Sequence, residues 1–277
     1  MKRLLSIQDI SCFGRCSQTV ALPIISALGI ETVLLPTAIL STHTGDFCDY
    51  SFLPLNAEIK KITNHWKSIK LTFDAIYVGY IGTVELIESI SSIIDEFSDE
   101  NTLIYIDPAM ADNAALYSGL DMEYVSEIKK LCKKADIICP NIYEAMLLSG
   151  FGCTHSYTPK DVNALADKTG ELAKKTIITG IHKGDEILTL GYDRKTKVSK
   201  EIVNKKFDGM FYGTGDIFAS TFIGAYLNGL DFFEAIAFSD GFVQMCIENT
   251  IAEHDKYWYG INFEPCLSYL TDFYNKQ

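Results

Sequence analysis

Several signatures that would settle a function early are missing from this 277-residue chain. No Gly-x-x-x-x-Gly-Lys-Ser/Thr run occurs, so the P-loop that cradles nucleotide phosphates is absent. No Gly-x-Gly-x-x-Gly follows the first predicted strand, which leaves a dinucleotide-binding half unsupported, and there is no Gly-x-Ser-x-Gly elbow for a hydrolase nucleophile. The eight cysteines form no Cys-x-x-Cys pair. Cys12 and Cys16 are close together, but no second close pair accompanies them, so a zinc site is not indicated. Scattered thiols in apolar runs point to a reducing, cytoplasmic compartment. The apolar run Leu4, Leu5, Ile7 stops at Gln8-Asp9, too short for a signal peptide, and no stretch approaches the roughly 20 apolar residues of a membrane span. Basic charge is scarce. There are 24 Lys and Arg against 36 Asp and Glu, a net charge of −12, and no Lys/Arg run exceeds two residues. Such a surface repels nucleic acid and anionic membranes. An anionic substrate must therefore have its charge met locally, by a metal ion or by backbone N–H groups.

What is present is an ordinary globular composition, 48% hydrophobic and 22% charged. Short apolar runs rich in β-branched residues alternate with amphipathic ones. Strands are predicted at 3–8, 32–40, 75–78, 103–106, 136–139 and 176–179. Helices are predicted at 18–28, 56–69, 84–97, 122–133, 143–148 and 161–174. Pro23 is expected near the start of the first helix. This repeated alternation predicts an α/β fold, a mostly parallel sheet with helices on both faces. After Gly180 the pattern changes. Runs at 186–192 and 197–203 flank Asp193-Arg194-Lys195, a predicted hairpin. Helices follow near 232–248 and 264–273. With no linker, repeat or low-complexity stretch, a single domain over 1–277 is the economical reading.

In such a sheet ligands gather outside the carboxyl ends of the strands. The polar residues just past the predicted strands are Gln8 and Asp9, His43 and Thr44, Gly79 and Tyr80, Asp107, Asn141 and Glu144, and Thr179. One further segment can reach the same rim: Gly213-Thr214-Gly215-Asp216, followed by the apolar, small-residue run 217–227. A glycine turn lets backbone approach a bound group, and the free N–H groups of a helix start favour negative charge. An acid there can take a proton from an attacking alcohol, which is the equipment of phosphoryl transfer. The plain alternative is a loop whose Asp caps a helix. Carboxylates without thiolates or paired imidazoles suit magnesium.

Gly213-Thr214-Gly215-Asp216 and the helix behind it resemble the signature of the ribokinase superfamily. Further stretches resemble the vitamin B6 kinases within it. Ser6-Ile7-Gln8 ends the first strand as in that family. Leu40-Ser41-Thr42-His43-Thr44-Gly45 is similar to its Phe-Ser-Asn-His-Thr-Gly loop. Asp107-Pro108-Ala109-Met110-Ala111-Asp112 is similar to Asp-Pro-Val-Met-Gly-Asp, and Pro140-Asn141-Ile142-Tyr143-Glu144 to Pro-Asn-x-x-Glu. The matches keep their order and span residues 4–229.

The resemblance implies a ribokinase-like fold and ATP-dependent phosphorylation of the 5′-hydroxymethyl group of pyridoxal, pyridoxine or pyridoxamine. It implies Asp216 as general base and the N–H groups of Gly213, Thr214 and Gly215 as the hole for the transferring phosphate. Asp107 and Glu144 would lie in the phosphate–magnesium region, Glu144 through water, with Asn141 nearby. Thr179, Thr214 and the 205–214 segment would line ATP. Asp9, His43, Thr44, Gly45 and Tyr80 would line the pyridine pocket, with Asp216 at the reacting alcohol. A homodimer without the lid strands of sugar kinases is implied too.

Two positions depart from the pattern. Asp9 stands where relatives have Ser, and an ionised Asp only accepts hydrogen bonds. It is expected to favour substrates that present a donor or a cation. Ala111 stands where Gly is usual. The bland readings are a satisfied structural role for His43, a first-turn acid for Glu144 and simple packing for Tyr257-Trp258-Tyr259 against the final helix or at a surface. The rivals are a hydroxymethylpyrimidine kinase of thiamine synthesis, a sugar or nucleoside kinase, and a silent sensor that binds without turnover.

Overall fold

The computed structural model describes every residue except Cys153, Ser156, His254, Asp255 and Gln277. In chain order the strands are β1 (Arg3–Phe13), β2 (Glu31–Thr42), β3 (Phe52–Pro54), β4 (Ala75–Val78), β5 (Leu103–Ile106), β6 (Ala111–Asp112), β7 (Ala115–Leu116), β8 (Ile137–Ile138), β9 (Lys175–Lys183), β10 (Glu186–Asp193) and β11 (Val198–Lys205). The helices are α1 (Gln18–Ala27), α2 (Asn56–Ser68), α3 (Val84–Phe97), α4 (Met122–Cys132), α5 (Ile142–Ser149), α6 (Pro159–Thr169), α7 (Thr214–Leu227), α8 (Phe232–Ile251) and α9 (Leu267–Tyr274).

Among the described residues the main sheet has nine strands in the order β11-β10-β9-β8-β5-β4-β1-β2-β3. The pairs from β2 through β9 are parallel, and β3, β10 and β11 add antiparallel margins. The mostly parallel sheet was predicted, and so was the hairpin, whose predicted runs 186–192 and 197–203 fall within one or two residues of β10 and β11. The short strands β3, β6 and β7 were not, because two or three residues carry no readable period.

Alternation along each central strand explains the layering. Leu5, Ile7, Ile76, Val78 and Ile106 face one core, with α3 and α4 packed on it. Leu4, Ala75, Tyr77, Tyr105 and Ile137 face the other, under α1, α7 and α8. A strand buried on both faces reads as continuous hydrophobic sequence, as these do. Helix α7 is buried all round from Ile217 to Ala225, between the sheet, α1 and α8. That is why its sequence is apolar without a polar face.

Three local expectations change. Strand β1 does not stop at Gln8 but runs to Phe13, and its register against β2 shifts between Gln8 and Ile10. Such irregularities re-aim side chains beside active sites, and this one falls on Asp9. Pro23 lies inside α1 rather than near its start. Helix α6 ends at Thr169, and the chain turns through Gly170 into a longer β9. The seven described cysteines other than Cys153 are free thiols; Cys153 lies outside the described residues. Among those residues no helix is long and apolar enough to cross a membrane.

One buried charge lies well inside the fold. Asp240 on α8 is 6% exposed and accepts from the Thr189 hydroxyl at 2.9 Å. Burial pushes its carboxyl up to about 7, against the pull of that hydroxyl. An acid raised in the folded state holds its proton more tightly there than in the unfolded chain. The stability it contributes is therefore present at low pH and lost as pH rises through about 7. Asp240→Asn is expected to unfold later than the parent in denaturant at about pH 9, by on the order of 1–2 kcal/mol, with the gain shrinking below about pH 7 and gone by about pH 3. A pH-independent difference would remove Asp240 as the cause.

Candidate active site

The predicted rim residues converge at the carboxyl edge of the parallel strands. Asp107 follows β5, Asn141 and Glu144 follow β8, and Thr179 lies where Asn141 bridges to β9. Asp216 comes from the first turn of α7. Burial and the charges of Glu144 and Asp216 push the Asp107 carboxyl well above the carboxylate range. Burial pushes Asp216 up to about 7, opposed by a hydrogen bond from the Ser17 N–H and reinforced by the charge of Asp9. Buried like charges without a cation among them disfavour ionisation of each.

The turn before Asp216 is built from Gly213. It is the N-cap of α7 at φ 88°, and a Cβ there would lie 2.1 Å from the Arg15 carbonyl oxygen. Glycine is required on both counts. The first N–H to bond within α7 is that of Ile217, to the Gly213 carbonyl at 2.9 Å. The N–H groups of Thr214, Gly215 and Asp216 precede that bond and belong to the unpaired set at a helix start, which can receive an anion. At Gly215 an added Cβ meets nothing within 4 Å.

Glu144 is only 2% exposed and its carboxyl accepts three backbone hydrogen bonds. It accepts from the N–H groups of Met110 at 2.9 Å, Ala111 at 3.3 Å and Asn141 at 2.8 Å. Burial raises it to about 7 against those three bonds. Asn141 caps α5, accepting from Tyr143 and Glu144, and donates to the Ala111 carbonyl at 2.7 Å. The two residues thus clamp the loop 107–112 onto α5, and Ala111 fits there without strain. The helix-start reading of Glu144 is correct, and it shares one carboxyl with the loop. Asp107 is the free partner: its carboxyl accepts no hydrogen bond among the described residues. Those residues contain no group of three or more His, Cys, Asp or Glu able to cage a metal. Asp107 with Glu144 beside it fits magnesium, which binds one or two carboxylates together with phosphate oxygens and water.

On the other side of Asp216 lies the predicted pyridine pocket. Asp9 is 3% exposed and its oxygens accept from Ser11 at 2.9 Å and Ser17 at 2.5 Å. The chain itself therefore supplies a donor to each oxygen, so the departure at this position is compensated internally. His43 is a satisfied histidine, as its bland reading had it. Its Nδ1 accepts from the Gly45 N–H at 3.1 Å, which assigns the proton to Nε2, 2.7 Å from the Tyr259 carbonyl. Burial pulls its pKa down. Thr44 is exposed, Gly45 packs against the Tyr212 ring, and Tyr80 is half-buried with its hydroxyl raised to about 12 by burial and Asp9.

Sequence reasoning missed three contributors, and placed a fourth, Tyr212, only within the 205–214 segment. Ser17 touches both Asp9 and Asp216. Tyr117, at the end of the β6–β7 hairpin, faces Glu144, Asp112, Asp107 and Asp216. The Tyr212 hydroxyl donates to Asp46, tying the 43–47 loop to the glycine turn. Arg15 bonds Glu264 at 2.9 Å and stacks over Tyr257 and Tyr259. The aromatic run 257–259 therefore packs on Arg15, Phe13 and Phe47 beside the 43–47 loop. Only Tyr212 carried a readable signal, its place immediately before the turn.

The sequence profile of the phosphomethylpyrimidine kinase family matches residues 22–258. The chain belongs to the phosphomethylpyrimidine kinase family. A Bacteroides thetaiotaomicron protein assigned to phosphomethylpyrimidine kinase, crystallised in a form with pyridoxal, is 32% identical to this kinase-family chain. That match covers 97% of this chain and 95% of that one, with a TM-score of 0.93. The pyridoxal kinase of Lactobacillus plantarum is 25% identical, covers 100% and 99%, and has a TM-score of 0.92. The pyridoxal kinase of Arabidopsis thaliana is 26% identical over 268 residues, 93% of this chain and 85% of that protein. The fold is the ribokinase-like one that the loops implied.

The two glycines of the turn separate shape from chemistry. Gly213→Ala is expected to lose roughly 1–3 kcal/mol of stability, because its φ and the Arg15 carbonyl both exclude a Cβ. Gly215→Ala is expected to melt with the parent yet turn over roughly tenfold to a hundredfold more slowly, since the added methyl faces the anion rather than the protein. Equal behaviour of the two in melting and kcat would contradict this assignment.

Proposed function

We propose that this family member is a kinase that transfers the γ-phosphoryl group of ATP to the 5′-hydroxymethyl group of a vitamin B6 aldehyde, amine or alcohol. The observation that carries the reading is the placement of Asp216. It stands in the first turn of α7, beyond the Gly213 turn, and interacts with Asp107 on one side and Asp9 on the other. The relative with bound pyridoxal and the pyridoxal kinases support the choice of alcohol.

In the proposed reaction the substrate hydroxyl gives its proton to the Asp216 carboxylate as its oxygen attacks the γ-phosphorus. The bond to the β–γ bridging oxygen breaks and ADP leaves. The N–H groups of Gly213, Thr214 and Gly215 receive the charge on the transferring group. Asp107 would hold magnesium directly and Glu144 through water, and the ion would neutralise phosphate charge. Thr179, Thr214 and Asn141 are proposed to line ATP. Tyr80, Gly45, Thr44 and His43 are proposed to line the pyridine ring, with Asp9 acting through its charge.

We also propose a single domain over residues 1–277, a cytoplasmic setting consistent with the free thiols, and a homodimer. The edge strand β3 supports the dimer, since Phe52 and Leu53 are 41% and 58% exposed beside Ile39. Leu53→Lys should then halve the mass seen in sedimentation equilibrium.

The second reading, a hydroxymethylpyrimidine kinase, is favoured by the family profile itself. An ADP-release assay with pyridoxal, pyridoxine, pyridoxamine and hydroxymethylpyrimidine separates the two. The highest kcat/KM is expected with a B6 vitamer, and a clear preference for the pyrimidine would replace the first reading. Asp216→Asn is expected to lower kcat by roughly 10²–10⁴-fold while ATP still binds. Because the base must be ionised, kcat/KM of the parent should fall as pH drops through about 7. An unchanged rate across that range would exclude Asp216 as the base.

A further inference from the structure

Ser17 breaks two local rules at once. It is the N-cap of α1, and a Ser there normally turns its hydroxyl onto the helix's own N–H groups. Every other described N-cap with a hydroxyl, carboxyl or amide side chain does so: Thr83, Asp121, Asn141, Thr158 and Asp231. The Ser17 side chain makes no cap bond. Its backbone sits at φ 54° and ψ −129°, a region that suits glycine and strains a residue with a Cβ. The consequence of both irregularities is that the residue faces the site. The hydroxyl donates to Asp9 at 2.5 Å, and the N–H lies on the side of the Asp216 carboxyl, on a loop that Arg15 presses against the Gly213 turn. Ser11 holds the other oxygen of Asp9 at 2.9 Å, so the far end of the link is itself fixed. The loop behind Ser17 is fixed as well. The Arg15 carbonyl abuts Gly213, and its guanidinium bonds Glu264 and the Gly260 carbonyl.

We propose that Ser17 is the positioning residue of the reaction, a strut between Asp9 and Asp216 that fixes which oxygen of the Asp216 carboxylate faces the substrate alcohol. The N–H occupies one direction at the carboxylate, and the hydroxyl, anchored on buried Asp9, keeps that N–H in place. A carboxylate on the rotating end of a side chain otherwise samples several orientations, and only those aimed at the hydroxyl accept its proton. This inference rests on the kinase reading above and adds a residue that touches neither substrate nor nucleotide.

Ser17→Gly decides it. Glycine adopts φ 54° without strain and retains the N–H, so a residue needed only to make the bend is replaced without loss. The strut predicts instead that kcat on the preferred alcohol falls by roughly tenfold or more, with KM for ATP within about twofold. Wild-type kcat in Ser17→Gly overturns the proposal. Adding Ser17→Gly to Asp9→Asn should change kcat little further, because both break one link. Full additivity counts against it. Crystal structures of the parent and Ser17→Gly give a readout independent of substrate. The Asp216 carboxyl is expected to shift or adopt several rotamers, and an unmoved carboxyl overturns the strut. A parent protein that phosphorylates none of the four alcohols sinks the kinase reading, and the crystallographic comparison then decides the strut by itself.

Discussion

Four acids share one rim of the sheet, and their mutual repulsion is the constraint around which the loops are arranged. Two of them, Asp9 and Glu144, are almost wholly removed from water. An isolated carboxylate in such a place protonates or unfolds its surroundings. Here three of the four are held by the chain. Glu144 takes three backbone N–H groups, Asp9 takes two serine hydroxyls, and Asp216 takes the N–H of Ser17. Among the described residues Asp107 has no donor, and its neighbours' charges press on it. An acid left in that state is suited to a cation that arrives with the substrate.

The satisfying donors come from loops, and those loops are anchored by the same layers that make the core. The parallel strands β1, β4, β5, β8 and β9 run with their carboxyl ends together, so each connection to the next helix passes over one edge. Helix α7 is buried on every side, which fixes its first turn to within packing tolerance of that edge. Gly213 meets the Arg15 carbonyl, and Arg15 is in turn bound to the 257–264 segment. The rim is therefore a closed set of mutual contacts in which the base, its neighbours and the substrate-side loop are positioned together.

Most of the fold was legible because it follows from short-range regularities. The helices at 84–97 and 56–68 and the strands at 75–78 and 103–106 matched their periods almost residue for residue. Errors fell where tertiary contacts override local preference. Strand β1 extends past the polar Gln8-Asp9 because β2 continues alongside to Thr42. The β6–β7 hairpin turns through Asn113 and Ala114, both at positive φ, and an alanine there gives no turn signal. The aromatic run 257–259 looked like helix packing, since nothing in its own neighbourhood names Arg15 as the partner.

The sequence by itself determined the acids, the glycine turn and the layered α/β architecture. Residue type and spacing act through the backbone at short range, and the order of motifs along the chain carried the family. Only the tertiary structure decided how those acids are kept. That Glu144 clamps a loop, that Asp9 is satisfied by Ser11 and Ser17, and that Ser17 spends its hydroxyl on Asp9 instead of its own helix are contacts between strand ends, loops and helix starts. Their energies depend on distance and burial, and neither is encoded at any one position in the chain.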